Sequence, residues 1–396
     1  MTAHGSNSGE KLPQVSAWRG YSLVPGRAQA SLDSSRAERV CGEACGIDFS
    51  KFPSTRYQGS KRKIIPWIWS HVKNLDFSTA LDVFGGTASV SYLLKKMGKQ
   101  VTCNDYLRFN HQIGLALIEN DDVVLSQADI ELALKPPRNH TDYFIRDTFE
   151  GIYFTDEENE WIDTTVARIQ NLGGGSPYKQ ALLYYALFQS CLVKRPFNLF
   201  HRRNLYIRFA KTDRAFGNKT TWDRPFSEVF AAFCKEVSEF VCKGEKPCRA
   251  ICHDALDIPK GDYDLVYLDP PYLKKGRWET DYLSYYHFLE GLCRYGGWLS
   301  MIDYATPNLR MREERPNVWR DSKRRIEAFD ALFEKFAAST LVISYKRFGV
   351  PSIDTLVRML KKHGRTVRSY SRHYKYALNH QNGEAALNRE VLLIAE

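Results

Sequence analysis

Asp269-Pro270-Pro271-Tyr272 brings together a carboxylate, two residues without a backbone N–H and a phenol ring. A carboxylate and a neighbouring carbonyl can accept the two N–H groups of an aromatic amine whose lone pair is delocalised into its ring. Such a pair of acceptors draws the nitrogen toward tetrahedral geometry and aims its lone pair at an electrophilic methyl group. The prolines remove donors and stiffen the turn that carries the acceptors. An adjacent aromatic ring can stack on an extruded base. The alternative reading is a rigid turn closing a strand, with Tyr272 in the core.

Phe84-Gly85-Gly86-Thr87-Ala88-Ser89 is a second candidate, a glycine turn that lets backbone approach a ligand at the start of a helix. Asp105 follows Gly86 by 19 residues, where an acidic side chain meets ribose hydroxyls in nucleoside-binding βαβ units. Asp105 could instead cap a helix ahead of Leu107. Asp254 ends a third strand and could accept from a cofactor's adenine amine, or be an ordinary loop carboxylate.

These residues need a sheet to carry them. Ala80 to Phe84 is a short apolar run meeting the glycine turn, Ser89 to Met97 reads as a helix stopped by Gly98, and Val101 to Cys103 is a second strand. Together they make a βαβ unit. Arg249–Ile251, Tyr263–Leu268, Thr340–Ser344, Val367–Tyr370 and Val391–Ile394 read as further strands, with helices over Ser284–Arg294, Arg324–Phe336 and Ile353–His363. The alternation predicts an α/β fold, a mostly parallel sheet with helices on both faces. Residues 110–246 break the alternation and read as a mainly helical insertion, with a Thr155/Glu158 capping box and a helix begun by Ser176-Pro177. Residues 1–46, rich in Gly, Ser, Ala and Arg, read as a disordered leader.

Tyr57-Gln58-Gly59-Ser60-Lys61 completes a set of three motifs. In this order the chain resembles the Dam-type adenine-N6 DNA methyltransferases, with the cofactor motif first, a target-recognition insert second and Asp-Pro-Pro-Tyr last. The resemblance runs from about Phe52 to the C-terminus. It implies a Rossmann-like sheet over 47–109 and 247–396, an inserted DNA-binding domain over 110–246, and S-adenosylmethionine as methyl donor. It implies that Tyr57 and Lys61 help hold the donor, that Phe84 and Gly86 line its methionine side, that Asp105 binds its ribose and Asp254 its adenine. Asp269, with Pro270, Pro271 and Tyr272, belongs to the catalytic loop beside it. The family's usual Phe-x-Gly-x-Gly is broken here by Ala88. Its methyl is tolerable at negative φ, at the cost of room beside the cofactor.

The formal net charge of +10 suggests a polyanionic partner. Nine Lys or Arg fall between Lys194 and Arg224, interleaved with aromatics and asparagines. Lys194, Arg195, Arg202, Arg203, Asn204, Arg208 and Lys219 are therefore the expected contacts to double-stranded DNA; a solvated basic loop is the alternative. Acceptors other than DNA adenine, namely cytosine N4 or RNA adenine, share the same amine chemistry, and a non-catalytic nucleic-acid-binding homologue is a third reading. The chemistry requires no metal, and the scattered cysteines read as reduced thiols. No signal peptide or membrane span is evident, so a cytoplasmic protein is expected; the resemblance implies a monomer, with a cognate restriction endonuclease as a further partner.

Overall fold

Leu81 and Val83 point to one side of their strand and Ala80 and Asp82 to the other, yet all are buried. A strand buried on both faces belongs inside a covered sheet. In the computed structural model, which describes residues 48–49, 52–53, 56–135, 141–172, 175–211, 219–274, 277–278, 281–374 and 388–396, that sheet has seven strands in the order β3-β2-β1-β4-β7-β9-β8. They are β1 (Thr79–Asp82), β2 (Gln100–Asn104), β3 (Arg249–Ile251), β4 (Leu265–Leu268), β7 (Thr340–Lys346), β8 (Val367–His373) and β9 (Arg389–Ala395), while β5 (Leu273–Lys274) and β6 (Arg277–Trp278) form a small separate hairpin. The first five strands pair in parallel, and β9 runs antiparallel between β7 and β8.

The chain winds outward from β1 in one direction to β2 and β3, and in the other to β4 and β7. The loops after β1 and β4 therefore leave in opposite directions and open a crevice at their C-terminal ends, where open α/β sheets bind ligands. Helices cover both faces. Phe329, Leu332 and Phe333 of Ser322–Lys335, with Leu356 and Leu360 of Ile353–Lys362, pack on Leu81, Val266, Leu341 and Ile343. The helix Pro177–Val193 packs on Arg108–Gly114 and on Phe226–Phe240, and its length is buried almost throughout.

From Ser50 to Glu396 the chain forms one compact unit. The expected boundary at 109/110 falls within the helix Arg108–Gly114, which packs on β2 and β3. The helices of residues 110–246 thus share a body with the sheet: Arg108–Gly114 and Leu115–Glu119 pack on its strands, and Pro177–Val193 packs on both of them. The capping box forms as expected, with Thr155 N donating to Glu158 at 3.1 Å and Glu158 N to Thr155 Oγ1 at 3.2 Å. Ser176 caps the helix that Pro177 begins. The leader expected over 1–46 and Arg214 of the basic stretch lie outside the described residues. Among the described residues no helix is long and apolar enough to cross a membrane, and no cluster of His, Cys, Asp or Glu is placed to hold a metal ion.

Candidate active site

The Tyr57–Lys61 motif turns sharply at Gly59, whose φ of 86° is a conformation that suits glycine. A side chain there would also meet Tyr282 Oη at 2.5 Å. The turn is anchored by Gln58 N, which donates to Tyr286 Oη at 2.7 Å, and by Ser60 Oγ, which lies 3.4 Å from the hydroxyls of Thr87 and Ser89. Tyr57 stacks on Tyr286, centroids 4.6 Å apart, and on Tyr282 at 5.1 Å. The motif is thereby pinned against the glycine turn that follows β1.

Asp105, at the end of β2, accepts from Gly86 N on one oxygen and from Leu107 N on the other, both at 2.8 Å. It ties the glycine turn to the next strand; the following helix Arg108–Gly114 has Leu107 at its N-cap and no side-chain cap, so Asp105 stands beside the cavity and does not cap that helix. Burial pushes its carboxyl up, opposed by those amides. Phe84 meets Trp319 edge-on at 5.0 Å across the cavity.

Asp269 follows β4. Its Oδ2 lies 2.7 Å from Lys61 Nζ, and Tyr272 Oη lies 3.1 Å from its Oδ1 and 2.9 Å from the same ammonium. Burial pushes the Asp269 carboxyl up to about 6, against the pull of Lys61 and with the push of Glu390. Although burial works against its charge, Asp269 and Glu390 hold the Lys61 ammonium above its ordinary value.

Tyr57, Lys61, Phe84, Gly86, Asp105, Asp254, Asp269, Pro271 and Tyr272 line one cavity. Pro270 is buried behind it. Ala88 is absent from the lining, and its φ is 57°. The condition of negative φ is therefore not met, and the expected loss of room beside the cofactor is corrected: the methyl is buried in packed protein and does not crowd the cavity. Three contributors escaped the sequence reading. Asp82 lines the cavity from the end of β1, pushed up to about 7 by burial against a bond from Ser91. A charge inside an apolar run was its signal. Tyr282 lines the cavity from the first position of the helix Tyr282–Cys293. Glu390 has no local signal, since only the antiparallel course of β9 brings it here.

The expected DNA contacts divide. Lys194, Arg195, Asn204 and Arg208 are buried. Lys194 donates to Trp222 O and pairs with Glu158 at 2.8 Å, and Arg208 holds Glu158 with both terminal guanidinium nitrogens. Arg195 donates to the carbonyls of Tyr153, Leu199 and Arg202 and to Asn204 Oδ1. These four serve the fold, the three cations because a buried charge must be satisfied internally and Asn204 as an acceptor for Arg195, and their expectation as DNA contacts is corrected. Arg202, Arg203 and Lys219 are exposed.

A family model described as D12 class N6 adenine-specific DNA methyltransferase matches residues 57–292, well over half of the chain. The chain belongs to this family. The methyltransferase acts on the N6 amine of adenine in DNA, so cytosine N4, RNA adenine and a purely binding role give way as readings. It is 27% identical over 331 residues to Type II methyltransferase M2.HphI of Haemophilus parahaemolyticus, covering 80% of this chain and 90% of that protein. It is 25% identical over 365 residues to Type II methyltransferase M.FokI of Planomicrobium okeanokoites, and 25% identical over 342 residues to Modification methylase StsI of Streptococcus sanguinis. The methyltransferase spans 52% of the M.FokI chain and 46% of the StsI chain. Enzymes that transfer methyl groups in this way draw them from S-adenosylmethionine as a class.

Proposed function

We propose that this cavity takes S-adenosylmethionine and an adenine turned out of the duplex, and that Asp269 receives the adenine amine. The observation that carries the reading is that Tyr57, Asp105 and Asp269, from three separate motifs, line a single cavity. The donor set suits the cofactor. Asp82 Oδ1 is buried and without a hydrogen-bond partner, which favours a ligand carrying an ammonium group. Phe84 and Tyr57 offer aromatic walls, Asp105 an acceptor for ribose hydroxyls and Asp254 one for an adenine amine.

Bound S-adenosylmethionine would supply an electrophilic methyl group on a sulfonium. The chain's own part is alignment and charge. Asp269 and the Pro270 carbonyl accept the amine's two N–H groups and hold its lone pair in line. The Lys61 ammonium favours the carboxylate form of Asp269, and that negative charge balances the charge that develops on nitrogen. Tyr272 and Tyr282 bring aromatic surface to the place of an extruded base.

Recognition of the DNA sequence falls to residues 110–246, where Arg202, Arg203 and Lys219, and the aromatic Phe197, Tyr206 and Phe209, are exposed. The relatives' names, Type II methyltransferase and Modification methylase, favour a role beside a restriction endonuclease. The test is incubation with labelled S-adenosylmethionine and duplex DNA, RNA or no acceptor, followed by identification of the modified base. N6-methyladenine in DNA is expected, abolished by Asp269→Ala with DNA retention intact. Undiminished labelling by that variant would overturn the role of Asp269.

A further inference from the structure

Glu390 is completely buried at the head of β9. Because β9 is antiparallel to β7, its first residues lie at the edge where the parallel strands end, and Glu390 pairs in register with Lys346. Its Oε1 lies 2.6 Å from Tyr272 Oη, 2.7 Å from Ser344 Oγ and 3.4 Å from Lys61 Nζ. A phenol has one proton, and Tyr272 has two carboxylates in reach, Glu390 at 2.6 Å and Asp269 Oδ1 at 3.1 Å. The shorter, charge-assisted bond takes the proton. Lys61 donates to the same hydroxyl from another side, so the tyrosine oxygen accepts there while its proton goes to Glu390.

We propose that Glu390 is a positioning residue for methyl transfer: by taking the Tyr272 hydroxyl proton, it keeps Asp269 Oδ1 as an acceptor for the adenine amine. This rests on the reading of Asp269 given above. Without Glu390 the tyrosine's proton turns to Asp269 Oδ1 and competes with the substrate. The groups that bear on the Asp269–Glu390 pair are Lys61, Tyr272, Asp82, Tyr267, Tyr282, Tyr374 and, across the strand, Lys346. Of these Lys61 and Lys346 are cations, the tyrosines are neutral near pH 7 and Asp82 is untouched by the substitution, so removing the Glu390 carboxylate takes one negative neighbour away from Asp269.

Glu390→Leu and Glu390→Gln, in the full chain, are compared by single-turnover methyl transfer to DNA and by KM for S-adenosylmethionine. The leucine variant should lose about tenfold or more in rate with KM changed by less than about twofold, the signature of an interaction made in the transition state. The glutamine variant keeps an acceptor oxygen and should recover to within about threefold of the parent. Its acid limb should move to lower pH, because a negative neighbour of Asp269 has gone. In a Tyr272→Phe background both substitutions should change the rate little. Equal losses in the two variants with an unmoved acid limb, or full losses in the Tyr272→Phe background, would make Glu390 merely structural and overturn the proposal. If the leucine variant fails to fold, the acid limb of the glutamine variant and its coupling to Tyr272→Phe decide alone. Asp269→Ala separates the two levels: activity without Asp269 defeats the underlying reading, whereas a dead Asp269→Ala with parental Glu390 variants defeats only this inference.

Discussion

Lys61 and Asp269 stand 2.7 Å apart across a separation of 208 residues, one on the opening motif and the other at the end of β4. The pair sets the protonation of the amine acceptor. With the Asp269 carboxyl at about 6, activity should be full above that value and fall as pH drops through it. Lys61 favours the charged form, so its removal must raise the carboxyl further. Lys61→Met is therefore expected to shift the acid limb of the pH–rate profile upward, with a loss at neutral pH that recovers partly in alkali. A profile that keeps its acid limb in this variant would show that Asp269 does not govern the rate.

Ala88 tests how a helix start tolerates a departure from glycine. Its φ of 57° costs an L-residue roughly 1–2 kcal/mol. Against that, the fully buried methyl contributes about 0.8 kcal/mol, and glycine would lose roughly 0.5–1 kcal/mol more in backbone entropy. The terms nearly cancel. Ala88→Gly should leave the melting temperature within a few degrees of the parent, roughly the shift a 1 kcal/mol change gives. Ala88→Val, with a branched side chain at positive φ, should melt well below both. A large gain from glycine, read by calorimetry, would mean that the strain is not balanced by packing.

The basic stretch from Lys194 to Arg224 shows where sequence reading reached its limit. Its composition was legible as a phosphate-binding surface, and Arg202, Arg203 and Lys219 do face solvent. Charge along a chain does not reveal which cations turn inward. Arg195 instead gathers the carbonyls of Tyr153, Leu199 and Arg202, a role set by the path of the loop around it. Local patterns of other kinds carried much further. The apolar run before Gly85-Gly86, the strand before Asp269 and the spacing to Asp105 all reported on β1, β4 and β2, because parallel strands end where their loops begin. Glu390 was invisible for the converse reason: its place depends on a non-local antiparallel pairing.

That division gives a paired expectation. Arg195→Met should destabilise the fold by more than about 3 kcal/mol, since several buried acceptors lose their donor together. Arg202→Ala with Arg203→Ala should leave the melting temperature unchanged, weaken DNA binding and flatten its salt dependence by up to about two phosphate contacts. Denaturant melts and binding titrations over a range of salt separate the two. If the exposed pair changes neither affinity nor salt slope, DNA lies on another face.

Asp82 sets stability against binding. Its carboxyl is raised from 3.8 to about 7 by burial, so the folded state keeps a proton that the unfolded chain releases. Stability from this group is therefore greatest at low pH. It falls as pH rises between those two values, at up to about 1.4 kcal/mol per pH unit, and is flat above. Asp82→Asn has no such proton to lose. Its melting temperature should match the parent near pH 4, then exceed it by a margin that grows toward pH 7 and stays constant beyond. The same change removes the carboxylate that lines the cavity and whose Oδ1 has no protein donor. S-adenosylmethionine should accordingly bind about tenfold more weakly, in line with the loss of one charge-assisted hydrogen bond. Calorimetric melts across pH and equilibrium dialysis of the cofactor would read the two effects, which must run in opposite directions. A variant that is stabilised but binds as the parent does would place the cofactor's ammonium elsewhere in the cavity, whereas one that gains no stability at alkaline pH would mean that Asp82 is ionised at little cost.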